Sequence, residues 1–302
     1  MEAYISKFLN GAKGAFSLTF DDGCYKDSTL KVVEIFKEIE GKTGVKIKAT
    51  SAQTVNFLNG ELISMWRELI ALGYFDVASH SVDHCIGYSE ATPEEKRLFD
   101  AEKSRDMLKE IYGEAPICFV IPGGGQTRSA CELLSRHYLA NRVGEGPIND
   151  VDCLDFMSLT AFVARFEYEN AQPFVDYIDS VIEKGGYGIQ INHWITDKEN
   201  DIFHSQRVGT FRDECMYLAK KQLQNELWIA SFNDAIKYFY ERDNAKILIQ
   251  GDEITISHSL DRAIFNMPLT LIVKSDSDKE ILVNGTKFSV KRDIENIITV
   301  QI

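Results

Sequence analysis

The sequence predicts a parallel α/β barrel over residues 1–243 and a small all-β module over residues 244–302. Two observations predict it. Short, nearly continuous apolar runs alternate with amphipathic helical patterns from Ala15 onward, as strands buried on both faces by helices require. After Asp243 the helical pattern stops and short strand-like runs separated by turn residues replace it. The number of strand–helix units fits a closed barrel better than a short open sheet. With 302 residues, 44% hydrophobic and 26% charged, the chain has a globular composition and can bury a core without disulfide staples.

The elements follow in order. Ala15–Phe20 reads as the first strand, and the helix after it, capped near Asp27 or Ser28, turns Leu30, Val33, Phe36 and Ile39 to one face. Ile47–Thr50 is the next strand. Asn59-Gly60 opens a helix with Leu62, Met65, Trp66, Leu69 and Leu72 inward and Gly73 as its stop. Phe75–Ala78 is the third strand. Thr92-Pro93-Glu94-Glu95 combines a cap, a first-position proline and acids at the positive end of the helix dipole. That helix runs to Gly113 with Leu98, Ala101, Leu108 and Ile111 inward. Ile117–Ile121 is a strand, followed by a glycine run and a helix from Ser129. Gln172-Pro173 precedes a helix to Lys184, Gly188–Ile191 is a late strand, and a last helix covers Ser231–Arg242.

Beyond it, strands are expected at Lys246–Gln250, Glu253–Ser257, Leu269–Lys274, Glu280–Val283, Phe288–Lys291 and Ile297–Ile302. Gly251-Asp252 and Asn284-Gly285 mark turns.

Charge and cysteine usage narrow the partners. Lys+Arg 33 against Asp+Glu 46 gives −13, which repels phosphate backbones, and the basic clusters at Lys42–Lys48 and Lys220-Lys221 are dilute. Nucleic acid is therefore not expected. A membrane partner is not expected either: runs such as Ile117–Pro122 and Leu269–Val273 fall far short of the roughly 18 apolar residues of a span. The cysteines Cys24, Cys85, Cys118, Cys131, Cys153 and Cys215 form no CxxC pair and read as reduced thiols. Met1–Lys7 shows no signal-peptide pattern, so the expected location is cytoplasmic, or secreted if a signal had been removed. The oligomeric state is left open.

In a barrel of this class chemistry sits where the strands end. The first strand ends in Phe20-Asp21-Asp22-Gly23, two adjacent carboxylates that a cation or a shared proton would reconcile, although Asp-Asp-Gly is also good turn chemistry. The third ends in His80-Ser81-Val82-Asp83-His84, whose spacing on one helical turn would bring two imidazoles to one metal. The late strand ends in Asn192-His193-Trp194. Alone, each has an ordinary structural explanation. Together they supply one carboxylate and two imidazoles as metal ligands, with a second carboxylate and a third imidazole as base and acid.

Ser17-Leu18-Thr19-Phe20-Asp21-Asp22-Gly23 resembles the TFDDG motif of the polysaccharide deacetylases, the NodB-homology domain of carbohydrate esterase family four. His80–His84 resembles that family's H-S/T-x-x-H motif and Ile191-Asn192-His193 its L-x-H motif. The resemblance covers about Ala15 to Asp243. It implies a distorted (β/α) barrel and hydrolysis of an acetamido or acetyl ester group on a carbohydrate or acetylated oligosaccharide. It also implies a divalent metal, usually zinc, with cobalt, nickel or manganese as alternatives. Carried over by position, Asp21 matches the base, Asp22, His80 and His84 the metal ligands, and His193 the general acid. A metal-bound water would be the nucleophile.

Two motifs depart. The R-x-P-Y/F-G motif aligns with Val120-Ile121-Pro122-Gly123-Gly124, which lacks its arginine and its aromatic residue. Arg142 is the expected substitute for the arginine, against the alternative of a surface residue, and the Gly123 amide falls at the oxyanion position. Asp152-Cys153-Leu154-Asp155-Phe156 only faintly echoes D-x-x-D-W and receives no role. Trp194, Tyr25, Tyr88 and Phe203 are candidates for stacking on sugar rings, against core packing, and His204 for lining the cleft; His137 and His258 read as structural. Two other readings stay open. One is hydrolysis of a non-peptide C–N bond in a small molecule, as in the allantoinase-like relatives of the fold. The other is a catalytically weak carbohydrate-binding pseudoenzyme.

Overall fold

A computed structural model describes residues 1–84, 87–88, 91–125, 127–198 and 205–302. Strand β1 (Glu2–Ile5) precedes the barrel. The barrel then runs β2 (Gly14–Phe20), α1 (Lys26–Thr43), β3 (Ala49–Gln53), α2 (Gly60–Ala71), β4 (Phe75–Ser79), α3 (Glu94–Tyr112), β5 (Cys118–Val120) and α4 (Arg128–Leu134). It continues through β6 (Ala140–Glu145), β7 (Leu159–Val163), α5 (Gln172–Lys184), β8 (Tyr187–Asn192), α6 (Val208–Leu223), β9 (Leu227–Ile229) and α7 (Phe232–Asn244). The remaining strands are β10 (Lys246–Gln250), β11 (Glu253–Ser257), β12 (Leu269–Lys274), β13 (Lys279–Val283), β14 (Thr286–Val290) and β15 (Glu295–Val300).

Seven parallel strands close in the order β3-β4-β5-β6-β7-β8-β2, with β2 returning to β3. One edge of β2 pairs with β8 over Ala15–Phe20. The other carries β9 at Gly14–Phe16 and β3 at Thr19 and Phe20. That fork distorts the barrel, because β2 and β3 meet only at the end where β2 finishes. All seven residues of β2 are buried, which is why its sequence is apolar rather than alternating.

The C-terminal strands form a four-stranded sheet, β10-β11-β13-β14, and a three-stranded sheet, β1-β12-β15. The all-β part therefore draws one strand from the N-terminus and is not built from residues 244–302 alone. Ala3 pairs with Val273 and Tyr4 with Ile272, a long-range pairing that no local pattern reveals. Asn284 and Gly285 both have positive φ, 47° and 79°, as the tight hairpin between β13 and β14 needs. The module shares a continuous core with α7 and the strand starts: Phe8, Tyr238 and Phe239 cluster with Ile254, Leu271 and Val273. It thus covers the barrel end where strands begin, opposite the end where they finish.

Several expectations shift. The strand expected at Ile47–Thr50 lies at Ala49–Gln53. Helix α1 begins at Lys26 without a side-chain cap; the Ser28 hydroxyl instead accepts the Ile195 N–H at 2.7 Å. Leu30 and Leu72 are exposed, because Val32, Ile35 and Trp66 take the inward positions. Pro93, not Thr92, occupies the cap position of α3. Asn59 does cap α2, its side chain accepting from the N–H groups of Glu61 and Leu62 at 3.0 and 2.9 Å. Strands β6, β7 and β9 and helix α6 have no counterpart among the expected elements. The described cysteines form no disulfide, and Cys85 lies outside the described residues. Among the described residues no helix is long and apolar enough to cross a membrane.

Candidate active site

Parallel register brings the motifs to one rim. The Asp21 N–H donates to the Asn192 carbonyl at 2.9 Å, which sets the end of β2 beside His193. The His80 N–H donates to the Gln53 carbonyl at 2.9 Å, and the Thr54 N–H to the Asp22 carbonyl at 3.1 Å, so the end of β3 holds Asp22 and His80 together. Asp22 and Gly23 continue with φ of 71° and 76°, and the Trp66 indole N–H donates to the Gly23 carbonyl at 2.8 Å. A Cβ at Gly23 would meet the Gln53 side chain at 2.8 Å, so only glycine permits this turn.

His80 and His84 do not lie on a helical turn. The chain bends through Ser81 and His84, both at positive φ (73° and 61°), and the Ser81 hydroxyl accepts the His84 N–H at 2.9 Å. The rings still converge, with centroids 4.8 Å apart. One ligand atom from each of Asp22, His80 and His84 lies within 4.8 Å of the others. Asp22 Oδ1 is 3.7 Å from His80 Nε2 and 3.8 Å from His84 Nε2.

This donor set fits a divalent metal. His80 Nδ1 lies 2.6 Å from the Val120 carbonyl oxygen, which can only accept, so the proton belongs on Nδ1 and the Nε2 lone pair faces the cluster. Burial pushes the His80 imidazolium down to about 4, leaving the ring neutral at physiological pH, as a ligand must be.

Asp21 is paired with Arg142. Arg142 Nη2 donates to both carboxylate oxygens at 2.5 Å, and both side chains are buried. Arg142 on β6 is the register partner of Val120 on β5. The guanidinium thus approaches from the strand adjacent to the one where the family's motif carries its arginine. Burial alone would raise the Asp21 carboxyl; Arg142, aided by His80 and His193, outweighs it and holds the group at about 2. For His193, burial lowers the imidazolium more than Asp21 and Asp22 raise it.

Asp21, His80, His84, Gly123, Arg142 and His193 line one cleft of about 280 Å³. Gly123 and Gly124 have φ near 70°. A Cβ on Gly124 would strike Gly144 Cα at 2.8 Å, so the loop approaches β6 as only glycine can. Glu145 and Arg165, neither singled out by the sequence, also line this cleft and pair with each other at 2.8 Å. No described residue beyond Asn244 lines it.

The aromatic candidates separate. Tyr88 is core: it is buried, packs on Phe119 at 5.2 Å and donates to Asp100. Tyr25 and Trp194 meet edge to face at 4.7 Å and line a groove with Lys31 and Thr196. Phe203 and His204 lie outside the described residues. Asp152 pairs with Lys7, and the Asp155 side chain accepts the Met157 N–H, so neither acid of the fourth-motif echo joins the cleft. His258 lies 3.5 Å from Glu241 in the all-β part.

Behind β8 a buried amide–carboxyl network supports the rim. Glu214 on α6 accepts from Gln206 at 2.6 Å and from Gln190 at 3.3 Å. The Gln206 backbone in turn bonds the Trp194 carbonyl and the Thr196 N–H, each at 2.9 Å. Burial pushes the Glu214 carboxyl from 4.5 up to about 7, more than the amides lower it. A raised folded-state value means that the folded chain keeps a proton which the unfolded chain releases. Stability should therefore be greatest below pH 4.5 on this account and fall by on the order of 3 kcal/mol as pH rises through about 7. Glu214→Gln should flatten that slope and be more stable than the parent at pH 8, as read by urea unfolding. An unchanged slope would refute the assignment.

The comparisons agree with this geometry. No curated protein matches the sequence. The family model described as polysaccharide deacetylase matches residues 9–141. A candidate polysaccharide deacetylase from Mycobacterium smegmatis is similar in structure with a TM-score of 0.57 at 12% identity, over 80% of this chain and 96% of that one. One from Pseudomonas aeruginosa PAO1 has a TM-score of 0.55 at 12% identity, over 77% and 92%. A mutant of a carbohydrate esterase family four pseudoenzyme with restored activity has a TM-score of 0.50 at 11% identity, over 75% and 68%. At these identities the structural likeness establishes the closed barrel fold alone, and the sequence over residues 9–141 is similar to the polysaccharide deacetylases.

Proposed function

We propose that this chain is a metal-dependent hydrolase that removes acetyl groups from a carbohydrate. The observation that carries the reading is the buried Asp21–Arg142 pair set in one cleft with His80, His84 and His193. Asp22, His80 and His84 would hold a divalent cation. When bound, that cation supplies Lewis acidity, activating water and polarising the acyl carbonyl.

The protein's own groups do the rest. Asp21, kept ionised by Arg142, takes a proton from the attacking water. Arg142 fixes the carboxylate through two hydrogen bonds and prevents its rotation. The Gly123 N–H is the proposed donor to the developing oxyanion, since Gly123 lines the same cleft as Asp21, His80 and His193. His193 gives a proton to the departing amine or alkoxide. Trp194, which lines the groove shared with Tyr25, is the proposed apolar platform for a sugar ring.

Acetate release from acetylated xylan and acetylated chitooligosaccharides tests the reading. Release is expected with zinc or cobalt present, is lost with chelator and returns on adding metal back. His84→Ala should lose both metal and activity. Full activity in chelator, or metal loading without hydrolysis of either class, would overturn the proposal.

A further inference from the structure

We infer that Tyr25 is a positioning residue of the metal site: its phenol O–H holds one oxygen of Asp22 so that the other alone faces His80 and His84. The inference rests on the metal centre proposed above. Tyr25 Oη donates to Asp22 Oδ2 at 2.6 Å. The opposite oxygen, Oδ1, is the one that approaches the two imidazole Nε2 atoms at 3.7 and 3.8 Å. A carboxylate can offer a metal one oxygen or two. With Oδ2 engaged in a short hydrogen bond, Asp22 is set to offer one, leaving more of the coordination sphere for water and substrate.

The backbone gives this contact its purpose. Asp22 sits buried at φ 71° in a tight turn, and its two oxygens take different partners. Tyr25 is held at the start of α1, and its ring packs edge to face on Trp194 at 4.7 Å. Trp194 immediately follows His193, so one side chain braces the ligand turn and the loop carrying the candidate acid. The phenol is thereby committed to Asp22 and the ring to Trp194, which argues against the freely stacking sugar platform expected from sequence.

The test compares Tyr25→Phe with the parent protein, both stripped of metal and titrated with cobalt(II). The variant keeps the ring and loses only the O–H. It should bind cobalt about 10–100-fold more weakly, the usual cost of losing a partner to a ligand. Its visible cobalt absorption bands should shift as the carboxylate changes mode. The cobalt-induced rise in melting temperature, referred to each protein's own metal-free value, should be smaller, so that any general loss of stability cancels. Equal affinity with the same bands would overturn the role while leaving the metal centre intact. A parent protein that binds no cobalt, or binds it as well after His84→Ala, would overturn the metal centre and this role with it.

Discussion

Arg142→Met is expected to destabilise the protein by about 3–5 kcal/mol, the usual consequence of stranding one charge of a buried ion pair. The guanidinium is only 2% exposed and the Asp21 side chain 5%, so water cannot replace the lost partner. The same substitution should release the Asp21 carboxyl upward from about 2, because burial raises it and Arg142 is the largest influence opposing that, ahead of His80 and His193. The sign follows from the depressed value. The pair's stabilisation is present above the unfolded-state value of 3.8 and is lost as pH falls through about 2. In the variant, the acidic limb of the rate profile should move to higher pH as the base holds its proton. Arg142→Lys should recover little, since the shorter lysine side chain does not carry its nitrogen to the position from which Nη2 reaches both carboxylate oxygens. Removing both charges, Arg142→Met with Asp21→Asn, should cost less than the sum of the single changes. Urea unfolding and pH–rate profiles read these effects. A variant as stable as the parent, with an unmoved acidic limb, would refute the positioning role.

The two halves of this pair differ in how far sequence reveals them. Asp21 ends an apolar run, and a carboxylate doublet at a strand end points to chemistry by its local pattern alone. Arg142 has no such setting: β6 contains Asn141, Arg142, Gly144 and Glu145 and does not look like a buried strand. What makes Arg142 matter is its pairing with Val120, fixed by barrel closure and not by local sequence. The imidazole pair shows the converse. The spacing of His80 and His84 points to one ligand set, but a helical turn is the wrong vehicle, because nothing local announces left-handed residues at Ser81 and His84. Helix α6 is hidden for a related reason: polar Glu214 faces inward toward Gln190 and Gln206, which breaks the apolar stripe that marks a helix in sequence. The C-terminal strands are the most legible, since alternating burial in β11 and turn residues at Gly251 and Asn284-Gly285 are local signals. Their pairing with β1 is not, because it joins residues about 270 positions apart.

Asp21→Asn and His193→Ala should each slow deacetylation, and the contrast between them separates base from acid. Asp21→Asn removes the proton acceptor for the attacking water, a step common to every acyl substrate. It should cost about 10²–10⁴-fold on acetamides and acetyl esters alike, with cobalt or zinc content unchanged, because Asp22, His80 and His84 remain. It also leaves Arg142 buried without its carboxylate, so the rates must be read at temperatures where the variant is shown to be folded. His193→Ala acts at the other end of the reaction. An amine cannot leave as its anion, so acetamide hydrolysis should fall by a similar 10²–10⁴-fold. An activated acetyl ester expels a stable anion and should be slowed far less. The pH profile supplies a second readout. Burial places the His193 imidazolium below the ordinary histidine range, so on acetamides the alkaline limb should lie on the acid side of about 6.5 and vanish in His193→Ala. If His193→Ala slowed the activated ester as much as the acetamide, His193 would be acting before the leaving group departs, and the acid role would belong to another residue.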